Sequence, residues 1–232
     1  MGVPEERYSR ITNKNQREIC LLRGFPCAWG KCSFCDYIDD NGRDEAAMVS
    51  LNRQVLKRVT GEFGVLEVIN SGSCFELPKE TLKDVEQIVR EKNIEKLFFE
   101  AHWMYRKHLA SMRRQMPVPI VFKIGVETFD NEFRQKVLNK HACFTAPQEV
   151  AEYFDSPCLM VGVKGQTREM IARDIDCLKR YFKLGTVNVY NNNTTPIRRD
   201  EELVKWFMEE YRWLFDDPDV EVLYEITDFG VG

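Results

Sequence analysis

The sequence predicts an α/β protein in which helices cover a parallel sheet, laid out as a partial or complete barrel or as an open doubly wound sheet. Three observations lead there. Short apolar runs alternate with longer amphipathic stretches from end to end. The apolar runs are nearly continuous, as they must be in strands buried on both faces. About six such pairs fit into the 232 residues.

The first strand is expected over residues 19–23, Ile-Cys-Leu-Leu-Arg, after which the chain enters a loop rich in Gly, Pro and Cys. A helix over 49–59 leads to a strand over 65–70, whose Val-Leu-Glu-Val-Ile suits a pleated surface. Pro78 opens the next helix. Glu80 places negative charge in its first turn, Leu82, Val85, Ile88 and Val89 recur at helical spacing, and Arg90 and Lys92 stand near its end. Strands over 96–100, 120–126, 158–163 and 187–190, with a last one near 220–224, alternate with helices over 105–114, 131–138, 167–182 and 201–214. Such units join through right-handed crossovers, and the site belongs at the carboxyl ends of the strands, where the βα loops gather.

Composition bounds the function. With 44% hydrophobic and 30% charged residues, and no Gly/Ser linker or block of like charge, residues 1–232 are expected to form a single domain. The opening Met-Gly-Val-Pro-Glu-Glu-Arg is polar and acidic and the apolar runs are short, so neither a signal peptide nor a membrane span is expected and the location is cytoplasmic. Glu6 stands where a myristoylation signal requires Ser or Thr. A net charge of −4 without a basic tract argues against direct binding of nucleic acid and for a small-molecule substrate.

The eight cysteines are expected to be reduced thiols. Cys20, Cys143, Cys158 and Cys177 are scattered and read as small hydrophobes, and Cys74 lies in the loop after the second expected strand. Cys27, Cys32 and Cys35 fall within nine residues, directly after the first. A structural zinc site wants four ligands, and His102, His108 and His141 have no partner at ligand spacing. Three thiolates are also an unusual set for a zinc whose bound water must stay nucleophilic. An iron–sulfur cluster held by three cysteines keeps one iron open for a small molecule. On these residues alone, a split zinc site or a chance cluster of thiols stays open.

Cys27-x4-Cys32-Ser-Phe-Cys35, placed after a first strand and heading a series of βα units, resembles the radical S-adenosylmethionine (SAM) enzymes. Their commonest motif has three residues between the first two cysteines where this chain has four, which bears on the subfamily. The resemblance implies a partial (β/α)6 TIM-like barrel formed by one core domain, with a cluster loop at 27–35. It implies a [4Fe-4S] cluster held by Cys27, Cys32 and Cys35, whose open iron chelates the amino and carboxylate groups of SAM. The reduced cluster then cleaves SAM to a 5′-deoxyadenosyl radical, with electrons from a donor such as a flavodoxin or ferredoxin.

Further matches follow in order. Phe34 precedes the last cysteine. Gly72 and Ser73 resemble the turn that meets the methionine amino group, and Glu100 resembles a carboxylate site near the nucleoside. Glu127 resembles a ribose-binding strand end and Lys140 its basic partner for the methionine carboxylate. Val161 lies in a stretch similar to the one that packs on adenine.

The Leu-Arg-Gly-Phe-Pro-Cys lead-in, the four-residue spacing, and the Asn-Asn-Thr-Thr-Pro and Asp-Phe-Gly-Val-Gly stretches are together similar to the queuine lyases of bacterial queuosine salvage. That likeness implies glycosidic cleavage that frees the base queuine from queuosine or its 5′-phosphate. Asn191, Asn193, Asp228 and Phe229 are then candidate substrate contacts, and Cys74, Glu76 and His102 candidate catalytic groups. Asn-rich turns also arise for backbone reasons alone. Asp228-Phe229-Gly230 has no kinase context around it. The alternatives are a radical SAM enzyme that modifies tRNA and a metal-binding module without turnover.

Overall fold

The computed structural model describes residues 6–225, 228, 230 and 231. Phe229, a candidate substrate contact, lies outside the described residues. Strand order follows chain order. Contacts group the chain into two compact units, one made of residues 6–30, 37–122 and 230–231, the other of residues 31–36, 123–225 and 228.

In the first unit β1 (Tyr8–Ile11) pairs antiparallel with β2 (Arg17–Leu21), which continues in parallel to β3 (Val65–Ile69) and β4 (Lys96–Glu100). The sequence reading missed β1. Its four residues show too little pattern, and tertiary contacts hold it: Tyr8 is buried and its hydroxyl donates to Glu18 Oε1 at 2.6 Å. Glu18 also accepts the Thr60 and Gly61 N–H groups at 2.7 Å each, which satisfies a buried carboxylate from three sides. α1 (Glu45–Leu56) starts earlier than expected because Asp44 caps it, accepting the Ala47 N–H. α2 (Lys79–Glu91) begins just after Pro78 as expected. The helix expected over 105–114 divides into a 3₁₀ stretch, Trp103–His108, and α3 (Leu109–Gln115).

β5 (Ile120–Glu127) begins in the first unit and passes into the second. There it runs parallel to β6 (Ser156–Val161), followed by β7 (Gly185–Val189) and β8 (Val220–Leu223). All six residues of β6 are buried, which is why its sequence is apolar from Pro157 to Val161 rather than alternating. The helix expected over 131–138 is instead a π-helical turn, Phe133–Val137. Arg134 explains the wide turn. It is fully buried, stacks on the Phe144 ring, and donates to the carbonyls of Thr128, Ala142 and Phe144, so its guanidinium has to be carried inward. A short α4 (Pro147–Ala151), not expected, precedes α5 (Arg168–Tyr181). α6 (Glu201–Glu210) stops short of the expected end at 214, where a 3₁₀ turn, Arg212–Phe215, takes over. Among the described residues no helix is long and apolar enough to cross a membrane.

Asp174 of α5 is 1% exposed and accepts the Phe129 N–H at 2.7 Å. Burial pushes its carboxyl up to about 7, against the hydrogen bonds from Thr128 and Phe129. The folded chain therefore holds this proton more tightly than the unfolded chain, so stability falls as pH rises between roughly 4 and 7. Asp174→Asn keeps an acceptor and removes the charge. Its urea midpoint should match wild type near pH 4 and exceed it at pH 8, by the equivalent of roughly 2–4 kcal/mol. An equal difference at both pH values would contradict this.

Candidate active site

None of the eight cysteines is joined in a disulfide, and Cys27, Cys32 and Cys35 are partly exposed. Cys27 belongs to the first unit, Cys32 and Cys35 to the second.

Around Cys27 the first unit builds a polar cradle from the loop after β3. The Gly30 N–H lies 3.4 Å from Cys27 Sγ and donates to it. Glu76 is the hub. One carboxylate oxygen accepts the N–H of Ala28, the residue after Cys27, at 2.7 Å, and the other accepts the Ser73 N–H at 2.5 Å. Tyr105 Oη donates to the first of these at 3.3 Å. Burial raises the Glu76 carboxyl above the usual carboxylate range, although these three donors pull it back down. Burial and the Glu76 charge together push the Tyr105 phenol up to about 12. Gly72 is required here: a Cβ at this position would stand 2.1 Å from Glu76 Oε2 and 3.3 Å from Cys27 Cβ. Asn70 Oδ1, in the same loop, is buried without a hydrogen-bond partner.

The remaining first-unit candidates stand at the same strand ends. Cys74 is fully buried in a 3₁₀ turn, Cys74–Glu76, and burial raises its thiol, which keeps it protonated. Glu100 ends β4. His102 follows, capping Trp103–His108 by accepting the Met104 N–H on Nδ1 at 3.3 Å.

In the second unit Lys140 Nζ and Glu127 Oε1 form a buried ion pair at 2.7 Å, with side chains 13% and 8% exposed. The sequence assigned each of them to SAM; in this structure they bind each other. Burial alone would lower the lysine, but the Glu127 carboxylate and the Cys32 and Cys35 sulfurs outweigh it, so Lys140 titrates above its ordinary range. Its ammonium also lies 5.4 Å from the centre of the Phe34 ring. Glu127 sits at φ 64°, a left-handed conformation that costs energy for a residue with a Cβ, next to a register shift between β5 and β6. Gly125 leaves room for the pair, since a Cβ there would meet Glu127 Oε1 at 2.5 Å and Lys140 Nζ at 2.7 Å. Val161 ends β6 and is buried. Phe34 packs on the cluster of Phe133, Leu138, Met160, Val163 and Tyr190.

Of the substrate candidates, Asn191 accepts from Arg199 Nη1 at 2.7 Å and donates to the Tyr224 carbonyl at 2.9 Å. Asp228 accepts the N–H groups of Tyr224 and Glu225 at 2.6 and 2.9 Å. Asn193 donates to the Phe34 carbonyl at 2.7 Å.

No family model and no curated protein matches the chain. Solved structures do. A queuine lyase from Clostridium spiroforme, bound to SAM and queuine, shares 53% of residues at a TM-score of 0.96, over 98% of this chain and 99% of that one.

The chain belongs to the queuine lyase family of radical SAM enzymes.

Two more distant structures share the fold alone. One is a radical SAM methyltransferase from Sphaerobacter thermophilus, at 14% identity and a TM-score of 0.60 over 90% of this chain and 67% of that one. The other is Streptococcus suis SuiB bound to S-adenosylmethionine, at 12% and 0.53 over 91% and 48%. The fold class of this queuine lyase family member is the partial α/β barrel expected from its sequence.

The residues present suit an iron–sulfur cluster. The donors are soft, partly exposed thiols, with the Gly30 N–H donating to Cys27 Sγ and the Lys140 ammonium near the Cys32 and Cys35 sulfurs. Among the described residues no three His, Cys, Asp or Glu side chains converge to hold one ion. A cubane makes no such demand, because each thiolate binds its own iron. The sequence reading missed Tyr105, Asp36 and Thr194 as parts of this region. Asp36 had a signal, being next to Cys35, and Thr194 lay in the Asn-Asn-Thr-Thr-Pro stretch; Tyr105 sits in the Trp103–His108 turn, and its partner is brought near only by folding.

Proposed function

We propose that this chain releases queuine from queuosine or its 5′-phosphate by radical cleavage of the glycosidic bond. The observation that carries the reading is the 53% identity, over 98% of the chain, to a queuine lyase bound to SAM and queuine. Residues 1–232 act as one radical SAM core domain in the cytoplasm, with a flavodoxin or ferredoxin supplying electrons.

Cys27, Cys32 and Cys35 would hold a [4Fe-4S] cluster. Bound there and reduced, such a cluster would supply the electron for cleavage of SAM and so the radical chemistry that leads to loss of the base from the substrate ribose. Gly72 and Ser73 offer backbone and hydroxyl to the methionine amino group, and Lys140 faces the carboxylate as a point cation. Glu127, held against Lys140, accepts from ribose hydroxyls, and Glu100 lies near the nucleoside. Phe34 and Val161 supply apolar walls that keep water away. Glu76 holds the cradle beside Cys27 through Ala28 and Ser73. His102, just after β4, stands as a hydrogen donor toward the substrate, the buried Cys74 thiol packs under the loop after β3, and Asn191 and Asp228 shape the polar edge.

Protein purified without oxygen should carry about four irons per chain. With dithionite, SAM and queuosine it should yield free queuine and 5′-deoxyadenosine in step. Cofactor cleavage without base release would reject the lyase reading while keeping the radical chemistry. A colourless, iron-free product would reject both.

A further inference from the structure

We infer that Asn193 and Thr194, in the loop after β7, are positioning residues that clamp the peptide on both sides of Cys35. The inference rests on the proposed function, in that Cys35 binds iron there. Asn193 Nδ2 donates to the carbonyl of Phe34, the residue before Cys35, at 2.7 Å, and to Oδ1 of Asp36, the residue after it, at 3.3 Å. Thr194 donates to Asp36 Oδ2 from its N–H at 3.4 Å and from its hydroxyl at 3.3 Å. Asp36 is 5% exposed, so these part-buried contacts satisfy a buried carboxyl group that is costly to leave without partners.

The orientation of the Asn193 amide is set from its other side. Its oxygen accepts the Thr195 N–H at 3.0 Å, the Thr195 hydroxyl at 2.7 Å and the Tyr190 hydroxyl at 3.3 Å. A flipped amide would lose the Thr195 N–H, the Phe34 carbonyl and the Asp36 carboxylate, keeping only the two hydroxyls, which can turn to accept. Asn193 thus has little left to offer a substrate and much to offer the loop. The same segment is tied at two more points: the Ser33 N–H donates to the Leu138 carbonyl at 2.9 Å, and Asn139 Nδ2 donates to the Lys31 carbonyl at 2.7 Å. Accordingly Lys31–Asp36 groups with the second unit although chain segments of the first unit flank it on either side. Groups that orient a metal ligand from outside commonly govern how firmly the metal is kept.

The test uses anaerobically reconstituted full chain, challenged with the iron chelator bathophenanthroline and followed by iron release, with the KM for queuosine measured separately. Asn193→Ala should lose iron roughly 10- to 100-fold faster than wild type, with KM changed less than about twofold. Iron release at the wild-type rate would overturn the inference, and a raised KM alongside it would return Asn193 to the substrate. If Asn193→Ala does not fold, Thr194→Val reads the same clamp through Asp36: severalfold faster release supports it, and an unchanged rate refutes it. A wild-type chain that never loads iron fails the proposed function, a result distinct from either.

Discussion

Single replacement of Cys27, Cys32 or Cys35 by alanine should bring SAM cleavage and queuine release down by at least about a thousandfold, because no side chain substitutes for the chemistry of the cluster. In the proposed function Cys27, Cys32 and Cys35, three thiols in nine residues, would supply every protein ligand of the cluster, so any two would leave it short of one. Iron per chain should fall together with activity. The fold should survive, since the three side chains are only partly buried and their loss leaves no large cavity. Cys143→Ala is the matched control: it is exposed and scattered in sequence, and should leave iron, activity and stability unchanged within about 0.5 kcal/mol. Full activity in any of the three loop variants would remove the basis for the proposed function.

Lys140→Met should cost both stability and cofactor binding. It leaves the Glu127 carboxylate buried without its cation, and breaking one side of a buried pair costs about 3–5 kcal/mol. Glu127 is poorly placed to swing out to water, because its left-handed backbone and the adjoining register shift hold it at the strand end. The urea midpoint should drop accordingly. Adding Glu127→Gln should recover part of the lost stability by removing the stranded charge, while SAM affinity stays down by roughly 10- to 100-fold, the equivalent of one charge-assisted contact. The pH dependence has a definite sign. Lys140 titrates above its ordinary 10.5 in the folded chain, so its contribution is complete below that value and is lost only as pH rises through the higher folded one. Between pH 6 and 9 the Lys140 contribution in the wild-type chain should therefore be constant, and the Lys140→Met, Glu127→Gln double variant, which has no charge at either position, should differ from wild type by the same amount across this range; a difference that varied would point to another group.

Much of this protein was legible along the chain. The order and kind of nearly every strand and helix followed from apolar periodicity and from caps such as Pro78, which depend only on near neighbours in sequence. The thiol triplet was legible for a stronger reason: covalent spacing alone brings Cys27, Cys32 and Cys35 together. What escaped were the features that distant partners create. β1 is held by Tyr8 reaching Glu18 on β2, and the π-turn at Phe133–Val137 by carbonyls around a buried Arg134. Asn193 reads as a turn residue or a substrate contact until its donor is seen on Phe34, 159 residues away.

The sequence by itself thus determined the succession of βα units and the donor set offered to a metal cluster, because both are local properties of a covalent chain. Only the tertiary structure decided which polar group satisfies which: Glu76 on Ala28, Lys140 on Glu127, Asn193 and Thr194 on Asp36. A buried donor or acceptor must find a partner wherever folding leaves one, and that place is a matter of three-dimensional proximity, on which residue order is silent.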